Sequence, residues 1–334
     1  MTIRTTVEHL KGCVAVVGLV VGCLGANLVF AGGAVAKECK LTRLGSADLV
    51  IRDDLLIVPV TLNSHPANME LDTSNALTVI TSGDLQPFDL RAYPSDDVTV
   101  NFRGTLINQI AQARQFAVGS YKFAKLDLWV LPGSAPPSAT NMPDIGRLGM
   151  NVLATADFEL DFANNKLNFY SQEHCPGAVV YWTDNYSSAR ISRGPLGNYY
   201  FPIELEGRTV QASISTGVAN TTISTDVTRR LYGFDETSKD IEIETDSAGH
   251  PVAYYRAMTV AGDGINIKNA KIRLDPRAQR PSCAMRNGVD VPPYGRCESS
   301  EPTLFLGLNV ARRLHLYFAT KERVLYFSDV AASK

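Results

Sequence analysis

Histidine is scarce and scattered: five in 334 residues, at His9, His65, His174, His250 and His315. A catalytic metal or a Ser-His-Asp triad needs such residues to converge, and nothing in this spacing brings them together. No Cys-x-x-Cys or mixed His/Cys cluster is present. The chain is therefore expected to use no metal and no cofactor. Long runs of one charge sign are also missing, and the formal net charge is only -2, so there is no general pull toward nucleic acid or an anionic membrane. Beyond Ala36 no stretch is apolar enough to span a bilayer.

The exception is the N-terminus. Arg4, His9 and Lys11 precede a run from Gly12 to Ala36 that holds no charged residue and closes on Ala34-Val35-Ala36. A basic start, an apolar centre and a small-x-small end describe a secretory signal peptide, with cleavage expected after Ala36. Val20-Val21-Gly22-Cys23 also fits a lipoprotein processing box with Cys23 lipidated, and the run is long enough to serve as an uncleaved anchor. All three readings put the body of the protein outside the cytoplasm, in a periplasm or secreted.

Of six cysteines, Cys13 and Cys23 fall in this leader and four remain: Cys39, Cys175, Cys283 and Cys297. An even number in an exported chain favours disulfides, and four allow three pairings. Cys283 and Cys297 flank a Pro/Gly-rich loop and are expected to close it. Cys39 and Cys175 would then tie the start of the first half to its end.

From Leu49 onward, short β-branched and aromatic runs alternate with turn residues every eight to twelve positions, an all-β pattern. Self-comparison then divides the chain. Val58-Pro59-Val60-Thr61-Leu62 matches Phe201-Pro202-Ile203-Glu204-Leu205, and without a gap Asp72-Thr73 falls on Ser215-Thr216, Thr78 on Thr221 and Ile80 on Ile223. Leu148-Gly149-Met150-Asn151 has its counterpart in Leu306-Gly307-Leu308-Asn309. Each copy ends in a hairpin-like stretch, Phe158–Phe169 and Phe318–Phe327. The expected organisation is a leader over 1–36, homologous lobes over 40–172 and 195–330, and a linker over 173–194.

A hydrophobic hairpin ending in Asp72-Thr73-Ser74, an apolar Leu-Gly segment and a closing hairpin together resemble a lobe of the retropepsin-like aspartic peptidases. Two fused copies look like the exported, pepsin-like two-lobed members. The resemblance implies two β-barrel lobes with a few short helices and a cleft between them. It also implies an extended polypeptide in that cleft beneath β-hairpin flaps, with no nucleic acid, no membrane span after leader cleavage, and a monomer, because the second lobe already stands where a partner would.

In that family each lobe contributes one Asp, and the pair shares a proton so that one acts as acid and the other as base. Carried over, Asp72 is the first catalytic Asp and Ser215 stands in place of the second. Thr73 and Thr216 are the bracing threonines, and Ser74 and Gly217 the small residues beside them. Leu148-Gly149 and Leu306-Gly307 are the supporting segments. The flaps are placed at Val98 to Phe116 and Glu244 to Thr259. A serine hydroxyl cannot supply a carboxylate in the working pH range, and removing one member of a coupled acid–base unit costs many powers of ten in rate. The leading expectation is a peptide-binding homologue with impaired hydrolysis. The alternatives are an active endopeptidase that uses Asp72 to activate water, and a structural or assembly module of the cell envelope.

Overall fold

The computed structural model describes residues 39–95, 98–102, 105–135, 142–194, 197–246, 249–276, 284–286, 289–290 and 303–332. The leader and the expected Cys283–Cys297 bridge lie outside these residues. Among them the chain is β-rich, with three short α-helices at Met150–Leu153, Thr225–Tyr232 and Leu308–Ala311. Among the described residues no helix is long and apolar enough to cross a membrane.

Two sheets repeat one plan. In the first half neighbouring strands run Leu55–Leu62, His65–Leu71, Asp144–Leu148, Val79–Thr81, Leu126–Leu131, Gln109–Ala113. In the second they run Tyr199–Leu205, Arg208–Ile214, Leu304–Leu306, Thr222–Ser224, Ile265–Asp275, Pro251–Gly262. The alternation of antiparallel and parallel pairs is the same in both orders. Even the opening turns correspond. Asn63-Ser64 and Glu206-Gly207 each hold two successive residues at positive φ, the conformation of a tight two-residue hairpin. The expected all-β architecture of two similarly built lobes is the one observed.

The lobes meet in a third sheet. The closing hairpins, Asp157–Asp161 with Lys166–Tyr170 and Leu314–Ala319 with Val324–Asp329, lie edge to edge within six strands, with Phe158 opposite Phe318 and Leu160 opposite Leu316. The Phe158 and Phe318 rings stack 4.4 Å apart. Their apolar faces join both lobes in one hydrophobic core.

Two carboxylates are buried at this junction, each held by several partners. Glu159 accepts from Asn168, Tyr170 and Tyr181 through Oε2 and faces His315 Nε2 at 2.7 Å through Oε1. Asp157 faces His174 Nε2 at 2.6 Å and accepts the Thr320 amide and hydroxyl. Such burial is tolerable only because each carboxylate is so fully bonded.

The segment expected as a linker is packed rather than free. Val179 and Trp182 are buried, the Trp182 indole stacks on His315 at 4.1 Å and donates to the Ser328 hydroxyl, and Ser187–Arg190 adds the sixth strand along Val324–Asp329. Cys39 and Cys175 form a disulfide, which fixes the start of the first half to the beginning of this segment. A fourth, small sheet crosses between halves: Ala284–Arg286 pairs antiparallel with Val98–Phe102, setting Ala284 opposite Val100.

Candidate active site

Strand His65–Leu71 delivers Asp72 to the middle of the lobe pair, and Arg208–Ile214 delivers Ser215 in the same way. Each strand runs parallel to its Leu-Gly segment, Leu71 beside Leu148 and Ile214 beside Leu306. The Asp72 amide donates to the Leu148 carbonyl at 3.0 Å and the Ser215 amide to the Leu306 carbonyl at 2.9 Å.

The loops that follow are fixed by matching bonds. Met150 and Asn151 amides donate to the carbonyls of Asn75 and Ala76, and Leu308 and Asn309 amides to those of Val218 and Ala219. Thr78 donates to the Asn151 side chain and accepts the Gly149 amide. Thr221 does the same with Asn309 and Gly307. Only glycine fits beside these loops: a Cβ at 149 would lie 2.4 Å from the Leu77 carbonyl oxygen, and one at 307 would lie 2.4 Å from the Asn220 carbonyl carbon.

Between the loops, Thr73 and Thr216 exchange bonds crosswise. The Thr73 amide donates to Thr216 Oγ1 at 3.1 Å, and that hydroxyl donates to the Leu71 carbonyl at 2.6 Å. The Thr216 amide donates to Thr73 Oγ1 at 3.3 Å, and that hydroxyl donates to the Ile214 carbonyl at 2.7 Å. All four groups are buried, so the two loops are held in one fixed relation.

Asp72 and Ser215 are both fully buried on either side of this exchange. Their side chains are linked through Ser74. Ser74 Oγ donates to Asp72 Oδ1 at 2.7 Å and lies 2.8 Å from Ser215 Oγ. A hydroxyl has one proton to give; Ser74 gives its proton to the carboxylate, so Ser215 is the donor to Ser74. The Ser74 amide also donates to Oδ1 at 3.0 Å. Asp72 Oδ2 meets Arg147 Nη1 at 3.2 Å, and the other Arg147 nitrogen binds Glu70 at 2.7 Å. Gly217 presses on the same carboxylate from the second loop.

No protein-family model matches the sequence, and no curated protein matches it. Among solved structures, an aspartic proteinase from Irpex lacteus is similar, with 13% identity, a TM-score of 0.48, and coverage of 86% of this chain and 98% of that one.

Arg147 is a member of the site that the motif reading does not reveal. It precedes Leu148-Gly149 and reads as an ordinary strand residue. Only the parallel register that sets Arg147 beside Glu70 carries its guanidinium to Asp72. Asp226 is exposed on its helix and paired with Arg229 at 3.1 Å.

Val98–Phe102 pairs antiparallel with Thr105–Ile107, setting Val100 opposite Ile107. Val100, Phe102 and Ile107 pack with Ala76 and Leu77, just beyond the Asp72 loop. The rest of the expected first flap joins the main sheet, Gln109–Ala113 pairing with Leu126–Leu131. In the second lobe Glu242–Thr245 pairs with Pro251–Gly262 as a hairpin, Thr245 opposite Pro251.

Proposed function

We propose that this protein is an exported aspartic-peptidase homologue that holds an extended polypeptide between its lobes, beneath the two hairpins, without cleaving it. One observation carries the reading. At two equivalent strand ends, joined by the crossed threonine bonds, one position presents a carboxylate and the other a hydroxyl. Hydrolysis by this architecture requires a base to take a proton from water and an acid to protonate the departing amine. A serine hydroxyl offers no second titrating group in the working pH range. The Cys39–Cys175 disulfide supports the exported part of the reading, because such bonds persist in oxidising compartments.

The test pairs cleavage with binding. The wild-type protein is incubated at acidic pH with an unfolded protein substrate, and its binding of pepstatin and of unfolded peptides is measured by calorimetry. The expected result is binding without turnover. Cleavage that disappears in Asp72→Asn would establish an active peptidase instead. Absence of both binding and cleavage would favour the structural-module reading.

A further inference from the structure

The sequence points to one deficiency, the missing acid at position 215. The geometry points to two. We infer that the Ser74 hydroxyl occupies the place between the two catalytic positions, so that restoring the acid alone does not restore hydrolysis. This inference rests on the reading proposed above and concerns the same site.

A water activated jointly by two acids must lie within hydrogen-bonding reach of both. Ser74 Oγ already meets that condition, at 2.7 Å from Asp72 Oδ1 and 2.8 Å from Ser215 Oγ. It is a covalently held competitor for that position. Its amide, donating to the same Oδ1, anchors it there. The remaining Asp72 oxygen faces Arg147, and Gly217 fills the space beside it. Both oxygens of the retained carboxylate are therefore engaged by protein groups. An aspartate at 215 would bring a second acceptor to a hydroxyl whose single proton is already given to Asp72. It would still find Ser74 between the two acids.

Ser74 is not among the residues at positive φ, so alanine suits its backbone and removes only the hydroxyl. The experiment compares Ser215→Asp, Ser74→Ala and the double variant Ser74→Ala/Ser215→Asp as full-length mature protein. Each is checked for folding by thermal melting and for peptide binding by calorimetry. Expected are background cleavage in both single variants and a rise of at least about a hundredfold in the double variant, the scale of one acid–base contribution. That activity should show a bell-shaped acidic pH profile and be abolished by adding Asp72→Asn. The profile separates a restored acid pair from a merely altered structure.

Two outcomes overturn the inference while leaving the proposed function standing: Ser215→Asp alone cleaves as fast as the double variant, or the double variant folds, binds peptide and does not cleave. Failure of the proposed function has a different signature. Either the wild-type protein cleaves through Asp72, or no variant and not the wild type binds peptide, and the inference falls with it.

Discussion

A Cβ atom placed on Gly217 would lie 2.3 Å from the Cγ of Asp72. The glycine of one lobe is thus shaped by the carboxylate of the other. Gly217→Ala is expected to destabilise the fold by about 1–3 kcal/mol, the usual cost of an overpacked methyl group, measured as a lowered urea midpoint. In an Asp72→Ala background the same substitution meets less volume and should cost distinctly less. Equal costs in both backgrounds would show that the contact does not limit position 217.

Thr73 and Thr216 each serve as donor to one carbonyl and acceptor to one amide of the opposite loop. Valine keeps the shape and removes the hydroxyl, leaving a buried amide and a buried carbonyl without that partner. Either Thr→Val variant is expected to lose about 1–3 kcal/mol. Because the two residues serve one bonded unit, the double variant should fall short of the sum. Denaturant titration of the four proteins of the cycle gives the coupling directly.

His315→Ala would leave the buried Glu159 without its partner at 2.7 Å. Leaving a buried polar group short of a hydrogen-bond partner costs about 1–3 kcal/mol, so a drop in thermal midpoint is expected. The same substitution removes the ring on which Trp182 stacks. A change in Trp182 emission in the still-folded variant would report the loss locally. A small stability change with unaltered emission would contradict the arrangement.

Alkaline pH should weaken the fold. Burial, and next a hydrogen bond to Glu206, push Tyr255 up to about 12. Burial, against the opposing pull of Arg208, pushes Tyr232 up to about 12. Burial first and the Glu159 charge second raise Tyr170 and Tyr181 as well. In the unfolded chain tyrosine ionises near about 10. Above that point the native state holds more protons than the unfolded one, so stability declines with rising pH. The contribution is complete below about 10 and is lost as pH climbs through about 12. Urea midpoints across this range, alongside tyrosinate absorbance, should show the decline, and Tyr232→Phe should flatten it.

The duplication was readable because its register is free of gaps where it matters. Thr73 and Thr216 align in sequence and bond to one another in space. The paired Leu-Gly-x-Asn segments align and brace equivalent loops. What escaped reading depends on side chains meeting across long separations. Arg147 reaches Asp72 through a parallel strand 75 residues away. The Ser74 hydroxyl could have pointed to solvent; its turn toward Ser215 follows from the fixed relation of the loops. The join between the halves, rich in serine, carried the composition of a linker, yet Trp182 and Val179 pin it down. The pairing of Ala284–Arg286 with Val98–Phe102 is three residues long, too short for any alternation to announce.

The six-stranded sheet places Asp157–Asp161 and Leu314–Ala319 side by side as hydrogen-bonded neighbours. Neither hairpin can leave without stripping the other of a partner and exposing a row of unpaired backbone groups. The junction therefore behaves as shared property: its loss in one half is a loss in both. The two copies, although each repeats the other's plan, are therefore expected to melt together, and calorimetry should record one heat-absorption peak; two separate peaks would show that the shared sheet does not couple them.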